Sequence, residues 1–201
     1  ELGLIVFAVT VIIYTTVGGF RAVVLTDAVQ GIVMILGTAA ILWGVISFGG
    51  GIGSVVEKVK AVNPALLTPF GPNNAVAKPF VLSFWVLVGF ATVGLPYSAV
   101  RCMGYRDSRS MHQAIVIGTF VVGFLMLGMH LAGALSRGID PNIKGADIII
   151  PTITIKVLPP FLAGIFLAGP LAAIMSTIDS QLILASSAIV KDIYLNYINP
   201  G

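Results

Sequence analysis

Charge is the scarcest property of this sequence. Of 201 residues, 11 are Lys or Arg and 8 are Asp or Glu, together 9% of the chain, against about 25% for a typical soluble domain. So few charges cannot clothe a globular surface of this size in a hydrated shell, which excludes an ordinary water-soluble fold. There is one cysteine, Cys102, so an intrachain disulfide is excluded and the redox compartment cannot be read from cysteine usage. The basic surplus is small, a net charge of +3, and its residues are scattered, which argues against a nucleic-acid partner. The nearest approach to a basic cluster, Arg101, Arg106 and Arg109, is short and lies between two apolar runs, as a membrane-flanking loop does. Low-complexity segments and visible internal repeats are absent as well. The chain opens on Glu1 directly into an apolar run with no signal peptide, which reads as a fragment of a longer protein.

What is present is apolar. Hydrophobic residues make up 57% of the sequence and the mean hydropathy is +1.03. The solvent that suits such a chain is lipid, so the sequence predicts an all-α integral membrane protein embedded in a bilayer. A spanning helix needs about 20 mostly apolar residues. Five segments qualify: residues 2–17, 25–48, 80–103, 113–135 and 161–194. A turn is expected at 18–23 and long loops at 49–79 and 136–160, the second with a short interfacial helix near "IIIPTITIKVL". A β-barrel would need alternating strands of about ten residues, and these runs are longer and apolar on every side. Basic residues fall on both sides of the membrane: Arg21, Arg101, Arg106, Arg109 and Lys191 on the short-loop side, Lys58, Lys60, Lys78, Arg137, Lys144 and Lys156 on the other. Their greater density on the short loops places those loops and the C-terminal end in the cytoplasm and Glu1 outside.

The last span holds an anomaly, "AAIMSTIDSQ". Positions i, i+3, i+4 and i+7 share one face of a helix, and Ala173, Ser176, Thr177 and Ser180 have that spacing. Hydroxyl oxygens are neutral acceptors of the kind a hard cation prefers on shedding its water. The competing reading is packing, because Ser and Thr in membrane helices bond back to carbonyls or let helices approach closely. Asp179 and Gln181 beside the stripe favour a polar pathway, since a carboxylate at membrane depth needs a partner or a water-filled cavity.

The third segment, "VLVGFATVGLPYSAVRC", carries two glycines and a proline close together. Proline removes a donor and disfavours helix before it, so a kinked or broken helix is expected. Transporters use such breaks to bind solutes, and a plain packing kink is the other reading. Thr92, Tyr97 and Trp85 are the candidate solute contacts there, with Trp85 also fitting an interfacial aromatic belt. His130 reads either as a proton relay or as a side chain bonding a neighbouring carbonyl. Thr26 or Asp27 caps the second span, or Asp27 lies on an ion's route.

Three blocks, "YTTVGGFRAVVLTDAVQ", "GLPYSAVRCMGYRDS" and "AGIFLAGPLAAIMSTIDSQLILASSAIVKDIY", taken in this order resemble the sodium:solute symporter family. The resemblance implies a core of two inverted repeats of five helices each, of which this fragment would hold the last two helices of the first and the first three of the second. It implies Na+ as the coupling ion, with Ala173, Ser176 and Thr177 matching the family's A-x-x-[ST]-[ST] sodium step and Asp27 its "TD" aspartate on the sodium route. Asp179 and Ser180 neighbour that pathway. Val88 and Thr92 depart from the Trp and Tyr of proline carriers, and Leu95 and Pro96 from the polar residues of sugar carriers. "FWVLVGFATVGLPYSAVRC", "MHLAGAL" and "KVLPPFLAGIFLA" are closest to family members that carry pantothenate. The implied activity is secondary symport of a small organic anion, pantothenate first, in a bacterial inner (plasma) membrane, and not enzymatic catalysis. Another monocarboxylate, an amino acid, or a sensor module ahead of a signalling region are the alternatives.

Overall fold

A continuous helix of 47 residues would run for about 70 Å, more than twice the hydrocarbon thickness of a bilayer. The first helix of the computed structural model, α1 (Leu2–Phe48), has that length but is broken at Gly19, where φ is 57° and ψ −157°. This backbone lies in the left-handed half of conformational space, which glycine enters without a steric penalty. The break divides α1 into an N-terminal and a C-terminal arm. A turn over 18–23 was expected, yet residues 20–23 are already helical. One glycine supplies the whole change of direction, so Arg21 lies in the helix and neither Thr26 nor Asp27 can be an N-cap.

The structure describes residues 2–143 and 145–199. Glu1 and Lys144, both used in the sidedness argument, lie outside the described residues. After α1 come α2 (Ile52–Val62), two short 3-10 turns (Pro64–Leu67 and Pro72–Asn74), α3 (Lys78–Gly94), α4 (Pro96–Met103), α5 (Ser108–Ser136), α6 (Ile149–Val157), α7 (Pro160–Ser187) and a π-helical tail (Ala188–Ile198). The segment 49–79 is therefore not simply a loop. Val55 and Val59, one turn apart, give α2 a buried edge, and this short amphipathic pattern is masked by the glycines and prolines around it. The third span breaks where Gly94 and Pro96 flank Leu95, and α3 and α4 meet at a bend of 50°. The fourth starts earlier than its apolar run because Asp107 caps α5, accepting a hydrogen bond from the Ser110 amide at 2.7 Å. That bond holds the Asp107 carboxyl below its ordinary pKa. The expected interfacial helix is α6.

The main buried apolar cluster lies where α2 and α6 meet the C-terminal arm of α1 and the end of α5. Ile41, Val45, Val55, Val59, Ala132, Leu135, Ile143 and Ile153 form one buried apolar cluster there. Two polar ties close over it. Lys156 of α6 donates to Asp140 at 2.9 Å, and Arg137 donates to the Ile143 carbonyl at 2.7 Å. The Lys156 bond keeps the Asp140 carboxyl below its ordinary pKa. By contrast α3 and α4 contain no buried residue.

Candidate ion and solute site

The polar stretch of α7 is positioned by its packing against α1. A carbon added at Gly37 would sit 3.1 Å from Phe166, and one added at Gly44 only 2.8 Å from Val157. Position numbers rise on α1 as they fall on the facing chain, so the C-terminal arm of α1 and α7 run antiparallel at close approach. Small residues at such crossings let helices associate in lipid, where no hydrophobic force drives them together. That alignment sets Asp27 of α1 against the turn of α7 from Ser176 to Ser180.

Arg101 joins the two. From α4, its Nη2 donates to Asp27 Oδ2 at 2.6 Å, to the Ser176 carbonyl at 3.1 Å and to the Ser180 hydroxyl. The Asp27 side chain is 17% exposed and that of Arg101 39%. A charge pair this sheltered is screened much less than a surface pair. Arg101 was expected in a membrane-flanking loop with Arg106 and Arg109. It is instead in the second half of the broken span, because α4 resumes at Pro96 and carries it one turn further into the protein. Asp27 Oδ1 and Gln30 Oε1 are buried without a hydrogen-bond partner among the described residues.

Asp179 points away from the Ser176–Ser180 face. It is fully buried and accepts hydrogen bonds from the Tyr14 hydroxyl and, at 3.1 Å, from the Thr15 hydroxyl. Both donors lie on the N-terminal arm of α1, so α7 is gripped by the two arms on different sides. Ser180 also donates to the Ser176 carbonyl at 2.9 Å.

Thr177 is exposed on the surface of α7, and its hydroxyl donates to the Ala173 carbonyl at 3.2 Å. This is the back-bond that the packing reading anticipates, and it brings two of the three candidate ligand oxygens together. The Ala173 carbonyl and the Ser176 and Thr177 hydroxyls are neutral oxygens within one helical turn, a donor set that fits a hard monovalent cation. Lone pairs on Thr177 Oγ1 remain for such an ion even while its proton is donated. Ala173 also borders a cavity of about 270 Å³ lined by Met34, Thr38, Met126, His130 and Phe166 among others. His130 there lies with Nδ1 2.6 Å from the Met126 carbonyl oxygen, the local bond expected of a packed histidine.

The three candidate solute contacts separate. Tyr97 is partly buried and shares a small hollow with Phe20, Arg101 and Ser180. Thr92 is exposed and back-bonds to the Val88 carbonyl at 2.6 Å, and Trp85 is 74% exposed. The structure therefore brings only Tyr97 to the polar cluster. Sequence reasoning missed Tyr14, Thr15 and Arg101. The signal for Tyr14 and Thr15 was Asp179 and the signal for Arg101 was Asp27, carboxylates whose depth in apolar helices demands partners.

Long apolar helices, a broken span, and ionisable side chains gathered where α1, α4 and α7 meet define an α-helical integral membrane protein of transporter architecture. The chain belongs to the sodium:solute symporter family, whose sequence model matches residues 1–201. It is 57% identical over 193 residues, 96% of its length, to the sodium/pantothenate symporter of Haemophilus influenzae. It is 52% identical over 196 residues, 98% of its length, to the sodium/pantothenate symporter of Escherichia coli. The osmoregulated proline transporter OpuE of Bacillus subtilis is 32% identical over 203 residues, 98% of this chain and 40% of the relative. The chain spans 40% and 41% of the two pantothenate relatives. No solved structure matches it.

Proposed function

We propose that this chain is part of a sodium-coupled carrier that takes up pantothenate across a bacterial plasma membrane. The observation that carries the reading is the identity of 57% and 52% to two sodium/pantothenate symporters over nearly the whole chain. It is supported by the Ala173, Ser176 and Thr177 step on α7, whose neutral oxygens suit a hard monovalent cation. The two arms of α1, the α3–α4 pair, α5 and α7 are the five spans, and Gly19 and Leu95 mark the reversal and the break within them. The short connections and the C-terminal end face the cytoplasm.

In this account sodium is the coupling ion and is held by the Ala173 carbonyl and the Ser176 and Thr177 hydroxyls. Asp27, on α1 opposite the Ser176–Ser180 turn of α7, marks its route to the cytoplasm, and Tyr97 on α4 is the solute contact nearest that route. Each charge moved through 100 mV is worth about 2.3 kcal/mol, enough to concentrate a solute roughly fiftyfold. Transport of this kind needs binding and conformational change and no covalent step. The test is uptake of labelled pantothenate by vesicles containing the full-length protein, with and without an inward sodium gradient. Uptake should rise at least about tenfold with the gradient; uptake indifferent to sodium would overturn the coupling.

A further inference from the structure

The broken span is loosely fastened. Neither α3 nor α4 buries a residue, and α4 meets the rest of the molecule through two kinds of contact. One is apolar: a carbon added at Gly104, just past α4, would come 2.9 Å from the Phe20 ring. The other is Arg101, whose single Nη2 reaches oxygens of Asp27, Ser176 and Ser180. The apolar contact is non-directional and tolerates sliding. The guanidinium contact is directional and charge-assisted, and it is either made or broken.

Two of its three acceptors belong to α7, and one of them, Ser176, also supplies a hydroxyl to the sodium step. The Ser176 carbonyl already takes the Ser180 hydroxyl at 2.9 Å, so Arg101 adds a donor to a carbonyl at the foot of that step. A movement of the α7 turn that carries Ser176 therefore also moves the seat of Arg101. We propose that Arg101 is a latch, a positioning residue that ties the second half of the broken span to the sodium-binding turn of α7. Occupancy of the Ala173–Ser176–Thr177 step closes the latch, and loss of the ion frees α4 to swing about the Leu95 bend. Asp27 is the latch's counter-charge, and with its Oδ1 unpartnered among the described residues the bond from Arg101 to Oδ2 is what holds the carboxylate. The proposal rests on the symport reading above.

Cys102, next to Arg101 and exposed, reports the latch. The experiment uses the full-length transporter in vesicles, every other cysteine replaced by Ser, and follows alkylation of Cys102 by a membrane-permeant maleimide in sodium and in choline. In the parent protein sodium should slow labelling at least about fivefold, the lower end of ordinary coupling between sites. Arg101→Gln should label at the fast rate in both salts. Arg101→Lys, which keeps the charge but loses the planar fork, should recover part of the response, and it carries the test if the Gln variant does not accumulate. A sodium response of parental size in Arg101→Gln, or in Arg101→Lys where that variant carries the test, overturns the latch, as does a parent that takes up solute with sodium while Cys102 labelling ignores the ion. A parent whose uptake ignores sodium fails the symport reading instead, so the two failures are distinct.

Discussion

The two ends of this molecule are held together by different physics. Where α2 and α6 pack on α1 and α5, eight apolar side chains fill one cluster and the Lys156–Asp140 ion pair lies at its margin. Where α1, α4 and α7 meet, buried Val23 lies beside polar, directional contacts that run through Asp27, Arg101, Ser176, Asp179 and Ser180. A packed apolar cluster loses stability with every atom removed and has one arrangement. A set of charge-assisted bonds can exchange partners at small net cost, because the alternatives to a bond in a polar cleft are other bonds. The first end is suited to holding still and the second to switching.

The largest effect should come from the apolar end. Ile153 of α6 is fully buried, and Ile153→Ala should cost about 2–5 kcal/mol, as other large-to-small core changes do. It is expected to lower the thermal midpoint of the detergent-solubilised full-length protein. Sodium dependence of uptake by the molecules that remain folded should not change. A shift in sodium dependence would mean the two ends are mechanically coupled and the contrast between them is false.

A smaller effect is expected from Asp179→Ala. It would leave the Tyr14 and Thr15 hydroxyls, now bonded to the carboxylate, without an acceptor, at about 1–3 kcal/mol for such buried groups. Asp179→Asn retains an acceptor and should recover most of the loss. Thermal midpoints of the two variants decide it. Equal destabilisation by both would show that the negative charge, and not hydrogen bonding, holds the N-terminal arm of α1 to α7.

The apolar end was the easier to read. Long hydrophobic runs announced helices near 25–48, 113–135 and 161–194, and the Gly94–Leu95–Pro96 step announced the bend between α3 and α4. Gly19 was read too broadly. A turn was placed over 18–23 because paired glycines signal one, but a single left-handed residue suffices and the helix resumes at Phe20. That error made Asp27 look like a helix cap. Its partner Arg101 is 74 residues away in sequence, and Tyr14 is 165 from Asp179. Helical periodicity reaches only a few residues along the chain, so such pairings are invisible to it. The face shared by Ala173, Ser176, Thr177 and Ser180 was legible from spacing alone, but not that Asp179 turns away from it into the α1 interface. The π-helical tail after Ser187 had no signal in composition.

The account's central claim is that the coupling ion sits on one face of α7, and the measurement that tests it most directly is the sodium concentration giving half-maximal pantothenate uptake. Full-length Ser176→Ala and Thr177→Ala each remove one hydroxyl ligand, and each should raise that concentration about tenfold, the equivalent of about 1.4 kcal/mol, while uptake at saturating sodium falls less. Half-maximal sodium unchanged in both variants would contradict it, leaving the stripe as a surface on which helices pack.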